Sequence, residues 1–209
     1  MELALLKIDG TDTGKKVVLD DAVFGIEPND HAIYLDVRQY LAAQRQGTSK
    51  TKDRSEVAYS TKKIIRQKGS GGARHGSIKA NIYVGGGRAH GPRPRDYDFK
   101  LNKKVKQLAR FSALSYKAKE AAIAVIEPFT MEAPKTKEFK KIIENIKVNS
   151  RRVLFVVPEK SKNLVLSSRN LENVQVATPN NLNTYDIMRA YSVVFVNGAQ
   201  DSLKTEYKR

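Results

Sequence analysis

From Val57 through Arg95 the chain contains neither Asp nor Glu. Within that run, Lys62–Arg95 carries nine cations (Lys62, Lys63, Arg66, Lys68, Arg74, Lys79, Arg88, Arg93 and Arg95) and eight of the chain's 13 glycines. Glycine raises the entropy lost on ordering, and unopposed like charges repel. The apolar residues available, Ile64, Ile65, Ile78, Ile82, Tyr83 and Val84, are too few and too scattered to bury a core. Such a stretch is expected not to fold by itself and to need an anionic partner.

The core must come from the rest of the chain, which at 209 residues and 40% hydrophobic composition suffices for about one domain. Formal net charge is +16, of which Lys62–Arg95 supplies nine units. Positive charge concentrated in this way matches a phosphate backbone, because each cationic contact releases a condensed counterion. A membrane surface fits less well, since the stretch has no amphipathic helical period and no apolar face to insert. There is no cysteine, which excludes disulfides and thiolate metal sites and agrees with a reducing compartment. MELALLKIDG at the start lacks the basic region and long apolar core of a signal peptide, and no apolar run approaches the ~18 residues of a membrane helix. The expectation is a soluble, cytoplasmic protein.

Taken in order, residues 2–8 and 15–19 are short apolar runs around the turn residues Asp9–Gly14, which predicts a hairpin. Asp30 is expected to cap a helix to about Gln46, with Ile33, Tyr34, Val37, Tyr40 and Leu41 on its inner face and Gly47 as its stop. Asn102 is expected to cap a second helix to about Lys119, with Lys103, Lys104, Lys106 and Arg110 as a basic face. Beyond it, apolar strands at 121–129, 151–159, 173–178 and 192–197 alternate with helices at 135–146, 162–171, 182–190 and 199–207. Near-continuous apolar strands alternating with helices imply a sheet buried on both faces. The fold class is therefore α/β, a mainly parallel sheet flanked by helices. One globular domain spanning 1–209 is expected, interrupted by a long extended Gly/Arg/Lys-rich arm at about 48–100. Folded back on itself, the arm has limbs of about 20 residues and a reach of at most roughly 65 Å.

GSGGARHGSIK fails as a nucleotide loop. A dinucleotide fingerprint from Gly69 would need glycine at Arg74, and a P-loop from Gly71 would need lysine at Ser77. His75 and His90 have no carboxylate nearby in sequence to orient them, so contact with phosphate or base suits both better than catalysis. His31, at a helix start, reads as a solvated or capping residue. No spacing of His, Asp and Glu suggests a metal site. Tyr83 and Tyr97 offer stacking surfaces, and arginine pairs with phosphate or stacks on a base.

The residues MELALL, Arg45-Gln46-Gly47-Thr48, Arg66-Gln67-Lys68-Gly69-Ser70-Gly71, Ala73-Arg74, Gly76-Ser77-Ile78, Gly85-Gly86-Gly87 and Gly91-Pro92-Arg93-Pro94-Arg95-Asp96-Tyr97 resemble those of one family nearly end to end. Leu101–Val105, Ser112–Ser115 and Ala133–Lys137 continue the likeness. The family is the fourth protein of the bacterial-type large ribosomal subunit. It usually has arginine where Gly72 stands, tryptophan at Ile65 and Tyr83, proline at Asn81 and arginine at Val84. The resemblance implies an α/β domain on the ribosome's solvent side and an arm threading through large-subunit RNA to the wall of the peptide exit tunnel. The expected RNA-binding residues are Arg45, Lys62, Lys63, Arg66, Gln67, Lys68, Gly69, Gly71, Arg74, His75, Lys79, Tyr83, Arg88, His90, Arg93, Arg95, Lys103 and Lys104. Lys68, Gly72, Arg74 and His75 would form the tunnel-facing tip. Implied partners are large-subunit ribosomal RNA, neighbouring large-subunit proteins, the nascent peptide and tunnel-binding macrolides. No cofactor, metal, membrane or enzymatic activity is expected. The alternative is an RNA- or DNA-binding regulator of gene expression, since some members repress their own operon.

Overall fold

A computed structural model of the chain describes residues 1–146, 148, 151–159 and 161–206. It divides into two compact units, one of residues 1–41 with 100–209 and one of residues 42–99. The first unit holds a six-stranded sheet in the order β2-β1-β3-β6-β4-β5. Its strands are β1 (Glu2–Leu6), β2 (Asp12–Val18), β3 (Ile123–Ile126), β4 (Val153–Val156), β5 (Val174–Ala177) and β6 (Ser192–Val196). β1 and β2 form the expected antiparallel hairpin, and every other neighbouring pair is parallel. The last strand is thus inserted in the middle, with Val193 opposite Ile123 on one side and Leu154 on the other.

The helices are α1 (Asp21–Phe24), α2 (Asp30–Ala43), α3 (Lys103–Lys119), α4 (Thr136–Asn145), α5 (Lys162–Ser168), α6 (Thr184–Arg189) and α7 (Ala199–Glu206). The expected continuation of α7 to Tyr207 lies outside the described residues. Because strand side chains alternate between faces, each apolar strand feeds two clusters. Leu154, Val156, Val193 and Phe195 join Ile33, Ala113, Leu114, Ile187 and Leu203 on one face. Val153, Phe155, Val194 and Val196 join Phe139, Ile142, Ile143 and Leu164 on the other. The near-continuous apolar strands read from sequence follow from burial on both faces.

Two details of the helices differ from expectation. The cap of α2 is Asn29, whose Oδ1 accepts from Ala32 N–H at 2.9 Å, while Asp30 Oδ1 accepts from the Tyr116 hydroxyl at 2.6 Å. On α2, Ala32, Ile33 and Asp36 point inward, whereas Tyr34 and Leu41 are exposed. Ile33 and Val37 of the expected face pack on the core, and buried Asp36 accepts from the Thr184 hydroxyl, a polar tie to α6. α1 is capped by Asp20, whose side chain accepts from Ala22 N–H at 3.0 Å.

Candidate nucleic-acid interface

Residues 44–99 contain no helix and no strand. Two limbs run antiparallel through isolated backbone bonds: Arg95 N–H to Gly47 C=O (3.2 Å), Thr51 N–H to Pro92 C=O (3.2 Å), Arg88 N–H to Lys52 C=O (2.9 Å) and Ile64 N–H to Gly76 C=O (3.1 Å). Gly47 is required by this pairing. Its φ is +66°, and a Cβ there would lie 2.0 Å from the Arg95 carbonyl oxygen. Val57 is the one buried apolar side chain of residues 42–99.

Acidic residues are confined to the root, where Asp53 and Glu56 are in ion pairs. Lys50 Nζ donates to Glu56 Oε1 at 2.5 Å, and Arg93 Nη2 donates to Asp53 Oδ2 at 2.9 Å. The Lys50 ammonium, the Asp53 N–H and Arg93 together hold the Glu56 carboxyl below the usual carboxylate range. Glu56 also closes a turn by accepting from Asp53 N–H at 3.2 Å. That D-x-x-E spacing is half of a capping box and was the available signal for this turn.

Arg45 and Arg95, expected on RNA, lie over the Tyr97 ring at 3.6 and 4.7 Å from its centroid. The clamp joins the two limbs at their root. The Arg95 hydrogen bond, followed by the charges of Arg95 and Arg45, holds the Tyr97 phenol below its ordinary range. A lowered pKa means the linked stability is absent while the phenol is protonated and appears as pH rises through the folded-state value. Among the chain's nine tyrosines, an alkaline absorbance titration should therefore show one ionising early. Arg95→Gln should move it upward; no change on substitution would refute the clamp.

The remaining expected contacts form a cationic surface. Lys62, Lys63, Arg66, Lys68, Arg74, Arg88 and His90 are exposed, as is Gln67, which accepts from Lys63 Nζ. Gly69 and Gly71 turn the chain at the tip with φ of +83° and +67°, and a Cβ at Gly72 would meet nothing within 4 Å. His75 and Tyr83 come together, ring centroids 5.7 Å apart, with His75 Nδ1 and Tyr83 Oη buried and without hydrogen-bond partners among the described residues. A cleft of about 810 Å³ there is lined by Asp53, Arg54, Ser55, Thr61, Lys63, His75, Gly76, Ser77 and Lys79. Arg54 and the hydroxyls were missed from sequence because only folding back brings 53–63 against 75–79. In the other unit, Lys103 and Lys104 are exposed on the first turn of α3. The expected four-residue basic face does not continue from them. Lys106 donates to Gln39 of α2 at 3.0 Å, and Arg110 is half-buried.

Residues 17–206 match the model of the Ribosomal protein L4/L1 family. The chain is 60% identical over 208 residues to a large ribosomal subunit protein uL4 of Parabacteroides distasonis, covering 100% of both. It is 56% identical to the uL4 protein of Phocaeicola vulgatus, over 98% of this chain and 97% of that one. With the uL4 protein of Cytophaga hutchinsonii it shares 55% identity over 98% of each. Over nearly its whole length, therefore, the chain belongs to the ribosomal protein L4/L1 family.

Proposed function

We propose that this large-subunit ribosomal protein binds large-subunit ribosomal RNA through residues 42–99 and lines the peptide exit tunnel with the tip around Lys68, Gly72, Arg74 and His75. The observation that carries the reading is an exposed run of cations on a segment with no helix, no strand and a single buried apolar side chain. A few isolated bonds and one buried apolar side chain offset little of the entropy of ordering such a segment, which favours an anionic partner with which it interdigitates. Asp53 and Glu56 are already paired at the root, which leaves the charges from Lys62 to Arg88 available for phosphate. Neighbouring large-subunit proteins are further partners, and the tip would meet nascent peptides and macrolides. Cosedimentation with large ribosomal particles after a high-salt wash separates this role from that of a transient regulator, which would wash off.

Lys68→Glu tests the tip. One charge is a small share of the electrostatic total, so incorporation into large subunits should stay nearly intact. Reversing a charge beside a narrow RNA-walled passage changes the local potential, and macrolide susceptibility or nascent-chain stalling should change with it. Normal incorporation with both responses unaltered would remove the tip from the tunnel wall.

A further inference from the structure

Asn197-Gly198 is the only Asn-Gly pair in the sequence. It forms the joint between β6, an interior strand of the sheet, and α7. Asn197 N–H donates to the Ile126 carbonyl at 2.8 Å and so ends the ladder between β6 and β3. Gly198 has a φ of +96°, in the left-handed region, while a Cβ there would meet nothing within 4 Å. The backbone angle of the joint, not a shortage of space, is what calls for glycine.

That glycine makes the preceding asparagine chemically labile. With no side chain to obstruct it, a glycine nitrogen attacks the asparagine Cγ as its own proton leaves. The new N–Cγ bond closes a succinimide ring, the Cγ–Nδ2 bond breaks, and ammonia departs with the proton. Water then opens the ring at either carbonyl to give aspartate or isoaspartate, and the second product routes the main chain through Cβ. In this fold the detour would lengthen the joint just ahead of Ala199 and Leu203, which are 0% and 1% exposed in the core.

One side chain holds both reacting groups. Gln200 is 4% exposed; its Oε1 accepts from Gly198 N–H at 3.0 Å, and its Nε2 donates to Asn197 Oδ1 at 3.0 Å. A first-turn glutamine reaching back to the cap N–H is ordinary helix capping, but capping does not call for the second bond. The first bond stabilises the Gly198 amide in its protonated, unreactive form. The second resists the rotation that would carry Cγ over the Gly198 nitrogen. We propose that Asn197 is a latent deamidation and isoaspartate site, and that Gln200 keeps it closed while α7 is docked on the sheet.

Incubating the full chain in warm, mildly alkaline buffer, folded and in denaturant, tests this. Peptide mass spectrometry follows deamidation at Asn197, and enzymatic carboxyl methylation reads isoaspartate. The folded chain should deamidate there about tenfold or more slowly than the unfolded one, because two hydrogen bonds of ordinary net strength must first break. Gln200→Ala should recover most of that difference. Ser202→Ala should not: the Ser202 hydroxyl donates to the Gly198 carbonyl at 3.2 Å, so its loss loosens the same turn without freeing a reacting group. Gln200→Glu keeps the acceptor and loses the donor, and its rate should fall between. A carboxylate suits the first turn of a helix, so this variant takes the place of Gln200→Ala if the latter fails to fold. Equal rates for the folded and unfolded wild-type chains would overturn the proposal. So would folded Gln200 variants that deamidate no faster than Ser202→Ala.

Discussion

Replacing residues 62–95 with a short Gly-Ser linker is expected to flatten the salt dependence of binding to large-subunit RNA. If six to nine of the removed cations each neutralise a phosphate, the intact chain should show a log–log slope of about −4 to −8. Exposed Lys103, Lys104 and the root cations would sustain a much shallower one. The corresponding loss near physiological salt is on the order of a thousandfold or more. The same deletion should barely move the melting temperature of the first unit, because the one buried apolar side chain of residues 42–99, Val57, lies outside the deleted stretch. Filter binding over a range of salt concentrations gives the slope. An unchanged slope would transfer the contact surface to the globular unit.

Phe155→Ala should have the converse effect. Phe155 is 0% exposed in the middle of β4, and its ring meets that of Phe139, also 0% exposed, at a centroid distance of 5.1 Å. Truncating a fully buried phenylalanine removes its transfer free energy and leaves a cavity, which together cost about 3–5 kcal/mol. For a domain of this size that corresponds to a fall in Tm of roughly 6–20 °C. Tyr34→Ala, on the exposed side of α2, should stay within about 0.5 kcal/mol. The RNA salt slope of folded Phe155→Ala protein should match that of the parent. A melting temperature lowered by less than about 2 °C would contradict the packing assigned to β4.

How far the fold could be read from sequence depended on how local the signal was. Apolar runs such as Val153–Val156 and Ser192–Val196 announce strands buried on both faces, and the spacing of Phe139, Ile142, Ile143 and Ile146 announces the inner side of α4. Where polar side chains bond across elements, the pattern misleads. On α2, Asp36 is buried against Thr184 while Tyr34 and Leu41 face solvent, and Gln39 takes Lys106 from the expected basic face. Arg45, Arg93 and Arg95 look from sequence like three more phosphate ligands, yet each has an internal partner: Tyr97 and Asp53 on the opposite limb for Arg45 and Arg93, and neighbouring Tyr97 for Arg95.

The sequence by itself determined the class of layers, the acid-free cationic arm and the absence of any core within it, because charge, glycine content and periodicity are properties of neighbouring residues. Only the tertiary structure decided that the last strand lies between β3 and β4. Strand order depends on the direction of each crossover, which is settled by which helix faces bury best against which strands. No local pattern carries that comparison, since its terms are contacts between residues far apart in the chain.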